Sequence, residues 1–102
     1  MAYALSVAFE WDDRKNLINE QKHGLSFEEA RGLFESRVDY LEIFNSEHSE
    51  FEDRFIAVGP IVRGLIVVIY TEREGDIIRI IAARRANKNE RSLYRSYMDQ
   101  YR

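Results

Sequence analysis

Three arginines near the end of the chain have the spacing needed to bind an anion. Arg79 lies in the middle of an apolar run, and Arg84 and Arg85 follow that run immediately before a predicted helix. Positive charge beside a helix N-terminus opposes the helix dipole, so a purely structural role is hard to find for the last two. The same position is favourable for a phosphate, which guanidinium groups and free backbone N–H groups bind together.

The arginine in the middle of the run has a structural alternative. Arg79 could form an ion pair with a carboxylate on a neighbouring strand, such as Glu52 or Glu72, because cross-strand ion pairs are common in sheets. Glu52 and Asp53 also lie beside Arg54, so a carboxylate base would stand next to a cation that binds an anion. A charge cluster at the start of a strand explains the same residues without any catalytic role.

Histidine titrates near neutral pH, and the chain contains two histidines. His23 could transfer a proton, although Lys22, His23 and Gly24 also form an ordinary helix stop signal. His48 lies in a polar stretch, where a solvated side chain is expected. Two histidines without cysteine make a structural zinc site unexpected, and the acidic residues form no tight cluster of the two-metal nuclease type. We therefore expect no metal and no cofactor.

Charge is divided unevenly along the chain. Residues 73–102 contain eight Lys or Arg and four Asp or Glu, whereas the whole chain carries −3, so residues 1–72 carry −7. A basic surface on an acidic protein indicates a specific anionic ligand, such as a phosphate backbone. The length suits one domain over residues 1–102, and the lack of cysteine fits a reducing compartment. No apolar run approaches the ~20 residues of a membrane span, so a cytoplasmic protein is expected.

The elements that position these residues are predicted by periodicity and turn signals. They indicate an α+β fold in the order β-α-α-β-β-β-β-α, with two N-terminal helices and one C-terminal helix on an antiparallel sheet. Ser26 and Glu29 form the capping box of the second helix. Pro60 and Gly64 mark the turn before the fourth strand. The other predicted elements are helices at about 13–22 and 88–101 and strands near 7–11, 38–44, 54–59, 65–71 and 77–83.

Periodicity also predicts which side chains are buried. In the first helix, Leu17 and Ile18 are expected to face inward and Asn19 to face solvent. The run 65–70 is apolar on both faces, which is typical of a central strand. Alternation predicts that the last strand packs against helices through Ile78, Ile80 and Ala82 and presents Ile77, Arg79, Ile81, Ala83 and Arg85 on its other face. The last helix is expected to pack through Leu93, Tyr94, Tyr97, Met98 and Tyr101, with Tyr94 nearest the strand.

Short segments spread over roughly residues 9–94 resemble the BrnT toxins of bacterial type II toxin–antitoxin systems. Each segment is brief, but their order and spacing are specific. The main segments are Phe9-Glu10-Trp11-Asp12, Lys22-His23-Gly24-Leu25-Ser26-Phe27-Glu28-Glu29-Ala30, Glu52-Asp53-Arg54-Phe55, Val67-Val68-Ile69-Tyr70-Thr71-Glu72-Arg73, Ile78-Arg79-Ile80-Ile81-Ala82-Ala83-Arg84-Arg85-Ala86, Glu90-Arg91 and Tyr94.

The resemblance implies a RelE-like fold and a ribonuclease activity that inhibits growth. It also implies neutralisation by a small antitoxin, BrnA, with a ribbon-helix-helix DNA-binding end. Two toxins and two antitoxins would form a 2:2 complex that represses its own operon and contacts operator DNA through the antitoxin. Antitoxins often cover the active face of a toxin, and here that face is basic, so an acidic antitoxin segment is expected on it.

RNA supplies its own nucleophile, the 2′-OH, so a metal-free ribonuclease needs a base, an acid and cations that stabilise charge on phosphorus. We predict that Glu52 or His23 acts as base or acid. Arg79 and Arg84 are predicted to clamp the transition state. The residues predicted to position the RNA backbone are Lys22, Arg54, Arg73 and Arg85.

Two other functions fit the same residues. Without the resemblance, a non-catalytic module that binds RNA or protein would be preferred, because the chain contains no catalytic triad or metal motif. A degenerate toxin that acts only as a co-repressor with its antitoxin is the third interpretation. The products distinguish them, since a nuclease of this kind leaves 2′,3′-cyclic phosphate ends and a binding module leaves RNA intact.

Overall fold

The eight elements follow one another in the predicted α+β order. The computed structural model describes residues 7–36, 39–45 and 52–100. The predicted polar loop at 45–50, with His48, lies almost wholly outside these residues, as does Tyr101. The elements are β1 (Ala8–Glu10), α1 (Asp13–His23), α2 (Phe27–Glu35), β2 (Leu41–Phe44), β3 (Arg54–Ile61), β4 (Gly64–Arg73), β5 (Ile77–Arg85) and α3 (Lys88–Asp99). None of the described helices is long and apolar enough to cross a membrane.

The strands form one mixed sheet in the order β1-β5-β4-β3-β2. Strands β2 to β5 pair antiparallel, and β1 adds a short parallel edge beside β5. The central place of β4 confirms what its two apolar faces predicted. A long crossover through α1, α2 and the meander separates β1 from β5, which is why their pairing could not be predicted from neighbouring segments.

The turn between β3 and β4 is where Pro60 and Gly64 predicted it, but it is shorter than predicted. Pro60 is still in β3, opposite Leu65, and the turn is formed by Val62 and Arg63. Strand β2 pairs with β3 only as far as Val58. Proline is tolerated beyond that point because no neighbouring strand there requires its missing N–H group.

The sheet has two different faces. Helices α1 and α2 pack on one, which we call the helix face, over a core that includes Phe27, Leu33 and Tyr70. The opposite face, here called the arginine face, carries a smaller cluster of Val58, Val67 and Ala86. Tyr94 of α3 packs against this smaller cluster and donates its hydroxyl to the Asp39 carbonyl at 3.0 Å. Helix α3 therefore covers only one end of the arginine face.

The predicted orientation of α1 is wrong. Leu17 and Ile18 are 57% and 51% exposed, whereas Asn19 is buried against the sheet. The Asn19 side-chain nitrogen donates to the carbonyls of Leu25 and Ala83 at 2.8 Å each, and its oxygen accepts from the Ala83 N–H at 3.2 Å. Because these bonds satisfy every polar atom involved, a polar residue can occupy the inward position.

A β-bulge in β5 changes the predicted alternation. Ile80 lies opposite Tyr70 and Ala82 lies opposite Ile69, so Ile81 is an extra residue without a partner on β4. Cross-strand partners share a face, and every residue after the bulge therefore points to the side opposite to the one predicted.

Three assignments in β5 change as a result. Ala82 moves to the arginine face, and Ala83 is buried in the main core beside Asn19. Arg85, opposite Ile66, belongs to the helix face. Arg84, opposite Val67, shares the arginine face with Arg79.

Within the part of α3 that the structure describes, one position predicted to be in the core is exposed. Leu93 is 49% exposed, although the apolar stripe placed it in the core. Asn87 caps the helix, since its side chain accepts from the Glu90 N–H at 2.8 Å while the Glu90 side chain accepts from the Asn87 N–H at 2.8 Å. This capping box fixes where α3 leaves the end of β5.

Candidate active site

A network of five charged side chains crosses the open end of the arginine face. Arg79 donates to Glu10 at 2.5 Å, and Arg73 lies 3.6 Å from the same carboxylate oxygen. Arg73 also lies 3.8 Å from Glu52, and Glu52 lies 3.7 Å from Arg54. We call these five residues the arginine network. Three cations against two carboxylates leave it with one net positive charge.

The pairing register of the strands brings the residues of the network together on one face of the sheet. Glu10 lies opposite Arg79 across the parallel β1–β5 pair, and Thr71 lies opposite both Arg79 and Arg54 on the two sides of β4. Buried Thr71 donates its hydroxyl to the Asp53 carbonyl at 2.6 Å, which ties the segment before β3 to β4. Four neighbouring strands thus bring residues that are distant in sequence to one surface.

The network is open to solvent. Its side chains range from 30% exposed for Arg79 to 46% exposed for Arg73, and Ile56, Ile69 and Ala82 beside it are only half-buried. Partly desolvated guanidinium groups bind phosphate strongly because each can donate two parallel hydrogen bonds. A surface with three of them and two carboxylates has the residue types needed to bind and activate a phosphodiester.

One member of the network was not predicted. The carboxylate that pairs with Arg79 belongs to Glu10, not to Glu52 or Glu72 as the ion-pair alternative supposed. No local pattern indicates this contact, because β1 and β5 are separated by most of the chain.

Arg84 lies on the arginine face but outside the network. It forms a bidentate pair with Glu90, at 2.7 and 2.8 Å, and so joins β5 to the first turn of α3. This pairing lowers the pKa of the Glu90 carboxyl and raises the pKa of Arg84. The negative charge of Glu90 also offsets the positive charge of Arg84 beside the N-terminus of α3. A structural role for Arg84 is therefore compatible with the helix dipole. Arg79 is five residues away, on the order of 15 Å along the strand.

The remaining predicted residues lie at another edge of the molecule. Arg63, in the β3–β4 turn, donates to the Gly24 carbonyl at 3.0 Å and to Glu29 at 2.9 Å. Arg85 donates to the Arg63 carbonyl at 3.4 Å, and Lys22 and His23 immediately precede Gly24. The pKa of Glu29 is lowered, chiefly by its hydrogen bond from Arg63. We call Lys22, His23, Arg63 and Arg85 the turn cluster.

The predicted site is therefore divided between two surfaces. Glu52, Arg54, Arg73 and Arg79 come together in the arginine network. Lys22 and His23 lie in the last turn of α1, and Arg85 is on the helix face, the side of the sheet opposite to the network. Within those residues, no group of three or more His, Asp or Glu side chains could hold a metal ion.

Comparisons with known proteins agree with the resemblance seen in the sequence. A family model described as the ribonuclease toxin, BrnT, of type II toxin–antitoxin systems matches residues 11–90. The crystal structure of the Brucella abortus ribonuclease toxin BrnT is similar in fold, with a TM-score of 0.61, 22% identity and coverage of 80% of this chain and 99% of that chain. A comparison with curated proteins found no match. Because the family model covers most of its length, the chain belongs to the BrnT family of ribonuclease toxins of type II toxin–antitoxin systems.

Proposed function

We propose that this chain is a metal-independent endoribonuclease whose active site is the arginine network. The observation that carries the proposal is that three arginines and two glutamates, four of them in adjacent strands and Glu52 just before β3, meet on the open part of the arginine face. RNA cleavage by its own 2′-OH needs cations around phosphorus and a proton acceptor near the nucleophile. The network contains both. Its RNA substrate and growth inhibition are what membership of a ribonuclease toxin family supports.

The three arginines are proposed to contact two successive phosphates of the RNA. Arg79 and Arg73 share one carboxylate, so a phosphate that approaches this carboxylate meets two guanidinium groups. Arg54 extends the positive surface to β3, where it would contact the next phosphate along the strand. In the pentacoordinate transition state the non-bridging oxygens gain negative charge, and preorganised guanidinium donors stabilise that charge more than they stabilise the ground state.

Of the two predicted transition-state clamps, the surroundings favour Arg79. Arg84 is held bidentately by Glu90 and would have to leave this partner to bind phosphate. We propose that Arg84 supports the site by fixing the start of α3. His23 would likewise need RNA to reach the turn cluster, so we assign it to backbone binding together with Lys22 and Arg85.

The first test is incubation of the purified chain with a defined free RNA in EDTA and, in a separate reaction that contains Mg²⁺, with ribosome-bound mRNA, each followed by analysis of the product ends. We expect 2′,3′-cyclic phosphate ends from wild type. Intact RNA in both formats would contradict the proposal and favour the binding or co-repressor function.

Two arginine variants then locate the site. Arg79→Ala is expected to lower cleavage about 10²–10³-fold, the loss typical of one transition-state donor, with an unchanged melting temperature. Arg84→Ala is expected to lower the melting temperature and to change the cleavage rate of the folded fraction much less. If Arg84→Ala instead abolishes cleavage at an unchanged melting temperature, Arg84 acts as a clamp and the assignment must be reversed.

We further propose that a BrnA-like antitoxin with a ribbon-helix-helix end neutralises the toxin by laying an acidic segment over the arginine network. Two toxins and two antitoxins would repress the operon, with operator DNA contacted only by the antitoxin. The net positive charge of the network supports the acidic segment, and an RNA substrate supports a cytoplasmic location. Mass measurement of the co-purified complex tests the 2:2 stoichiometry, and a strongly basic toxin-binding segment would contradict the predicted contact.

A further inference from the structure

We propose that Glu10, at the end of β1, is the general base that removes the proton from the 2′-OH of RNA. This inference rests on the proposed ribonuclease function and deepens it. The starting observation is that Glu10 lies between two arginines, Arg79 on β5 and Arg73 on β4, and accepts a hydrogen bond from the first. A phosphate bound to these two guanidinium groups would lie within a few ångströms of the Glu10 carboxylate.

The two oxygens of Glu10 have different surroundings. The hydrogen bond from Arg79 and the closest approach of Arg73 both involve Oε2, at 2.5 and 3.6 Å. In the described part of the chain, Oε1 makes no hydrogen bond, and the side chain is 36% exposed. One oxygen is therefore anchored, while the other is available to accept a proton from a bound ligand. This is the arrangement expected of a positioned general base.

The other carboxylates near the network are arranged differently. Both oxygens of Glu52 face arginines, Oε1 toward Arg54 at 3.7 Å and Oε2 toward Arg73 at 3.8 Å, and neither pair is within hydrogen-bond distance. Glu52 is therefore suited to spacing the two cations. Asp12 lies near Arg79, but its Oδ1 accepts from the Lys15 N–H at 3.0 Å and caps α1. Glu10 is the carboxylate that combines a fixed position with an available oxygen.

The position of β1 also suits the role. It is a three-residue strand at the edge of the sheet, so Glu10 is reached from the side as well as from the arginine face. Parallel pairing with β5 sets Glu10 directly beside Arg79. Backbone register, which is rigid, thus sets the distance between the base and the cation that holds the phosphate.

The chemical step is an internal transesterification. Glu10 Oε1 accepts the 2′-OH proton as an oxygen lone pair forms the O2′–P bond. The P–O5′ bond breaks, its electron pair leaves with O5′, and O5′ takes a proton from water. Glu10 afterwards returns its proton to solvent. The products are a 2′,3′-cyclic phosphate and a 5′-OH, and no oxidant, reductant or further reactant is required.

The test compares Glu10→Gln with wild type in a pH–rate study of RNA cleavage. The amide retains the shape of the side chain and can still accept from Arg79, but it cannot accept the nucleophile's proton. We expect kcat to fall about 10²–10³-fold, within the range of general base catalysis, with KM changed less than threefold. On the acid side of the profile, the wild-type rate is expected to fall tenfold per pH unit, and this dependence is expected to disappear in Glu10→Gln.

Three further variants make the outcome decisive. Glu10→Asp should cleave more slowly but keep the acid limb, meaning the fall in rate on the acid side of the pH profile. The carboxylate remains in this variant, although the side chain is shorter. Glu52→Gln should keep the acid limb and mainly raise KM. Glu74→Gln, in the exposed β4–β5 turn, is the matched control and should behave as wild type.

Results that contradict the role of Glu10 can be distinguished from results that contradict the ribonuclease function. An acid limb that persists in Glu10→Gln at a near-wild-type rate, or one that disappears in Glu52→Gln instead, overturns the assignment while leaving the ribonuclease intact. Wild type that cleaves neither free nor ribosome-bound RNA overturns the proposed function and this inference together. Thermal unfolding followed by circular dichroism verifies that Glu10→Gln and Glu10→Asp are folded.

Discussion

At the scale of single residues, three of the arginines are explained by the carboxylates they meet. Arg79 meets Glu10, Arg84 meets Glu90, and Arg63 meets Glu29. The pairs differ in exposure and in bonding. The Arg84 pair is bidentate and also joins two elements, which is typical of a structural pair, whereas the Arg79 pair lies in a solvent-open network. Pairing alone therefore does not separate structural from catalytic arginines, but the surroundings of the pair do.

The Arg84–Glu90 pair makes a prediction about pH. The pKa of Glu90 is lowered by the Arg84 hydrogen bond and by the Asn87 N–H, so its stabilising effect is present above its unfolded pKa, about 4.3. The effect is lost as pH falls through the lower folded pKa. Glu90→Gln should therefore be less stable than wild type by about 0.5–1 kcal/mol at pH 7, and the difference should vanish near pH 2.

Urea unfolding at the two pH values measures this difference. Glu20→Gln, on the exposed surface of α1, is the matched control and should differ little from wild type at either pH. A Glu90→Gln difference that stays constant down to acid pH would show that ionisation of Glu90 does not stabilise the fold.

Single residues also mark how much of the site the sequence could predict. Arg79 was identifiable because an arginine inside an apolar strand needs a partner, and Glu52 and Arg54 were identifiable as a carboxylate close to a cation. Glu10 was not identifiable, because its contact depends on a parallel pairing between the two ends of the chain. His23 had the right chemistry but lies at the end of α1, with the turn cluster.

At the scale of elements, antiparallel neighbours and helix caps were predictable because their signals are local. The Ser26–Glu29 capping box and the left-handed Gly24 at the end of α1 appear as expected. The inward position of Asn19 and the bulge at Ile81 were not predictable. Both depend on backbone groups of other elements, and the hydrophobic periodicity of one element contains no information about those groups.

Two glycines in neighbouring elements lead to opposite predictions. A Cβ on Gly59 of β3 would lie 2.5 Å from Leu33 Cδ1 and 2.7 Å from Tyr40 Cβ, whereas a Cβ on Gly32 of α2 would meet nothing within 4 Å. Gly59→Ala is expected to destabilise the protein by about 1–3 kcal/mol through overpacking. Gly32→Ala is expected to stabilise it by about 0.5–1 kcal/mol, because alanine is the better helix former.

Urea denaturation of the two variants and wild type tests this pair. Each glycine serves as the control for the other, since the chemical change is identical and only the surroundings differ. Equal effects of the two substitutions would mean that α2 and the segment before β2 do not approach β3 as closely as described.

At the scale of the whole molecule, most of the cations proposed to contact RNA lie on two surfaces separated by the sheet. The arginine network lies on one face, and the turn cluster lies where α1, the β3–β4 turn and the end of β5 meet. An RNA longer than a few nucleotides can contact both only by passing around the sheet edge. The acidic first part of the chain, which carries −7 over residues 1–72, would keep RNA away from the remaining surface.

The turn cluster therefore makes a prediction about binding rather than chemistry. The double variant Lys22→Gln and Arg85→Gln should raise KM several-fold and leave kcat nearly unchanged. If each side chain contacts one phosphate, the slope of log KM against log salt should decrease by about 1.4, the value for two contacts to single-stranded RNA.

Cleavage kinetics at several salt concentrations measure both quantities. Arg31→Gln, which removes one positive charge from a residue paired with Glu35 on α2, is the control and should leave the slope unchanged. An unchanged slope in the double variant would exclude the turn cluster from the RNA path. A loss of kcat would place part of the chemistry there.

The extra residue at Ile81 has a consequence for how the family can vary. Strand β5 contains two segments of opposite phase joined at this residue, so that Arg79 of the first segment and Arg84 of the second point to the same side. Loss of one residue here would restore uninterrupted alternation of side chains along β5. Either Arg79 or Arg84 would then point to the helix face. A single-codon deletion at this point would therefore be far more damaging than most substitutions in the same strand, because the number of residues in β5 fixes the direction of both arginines.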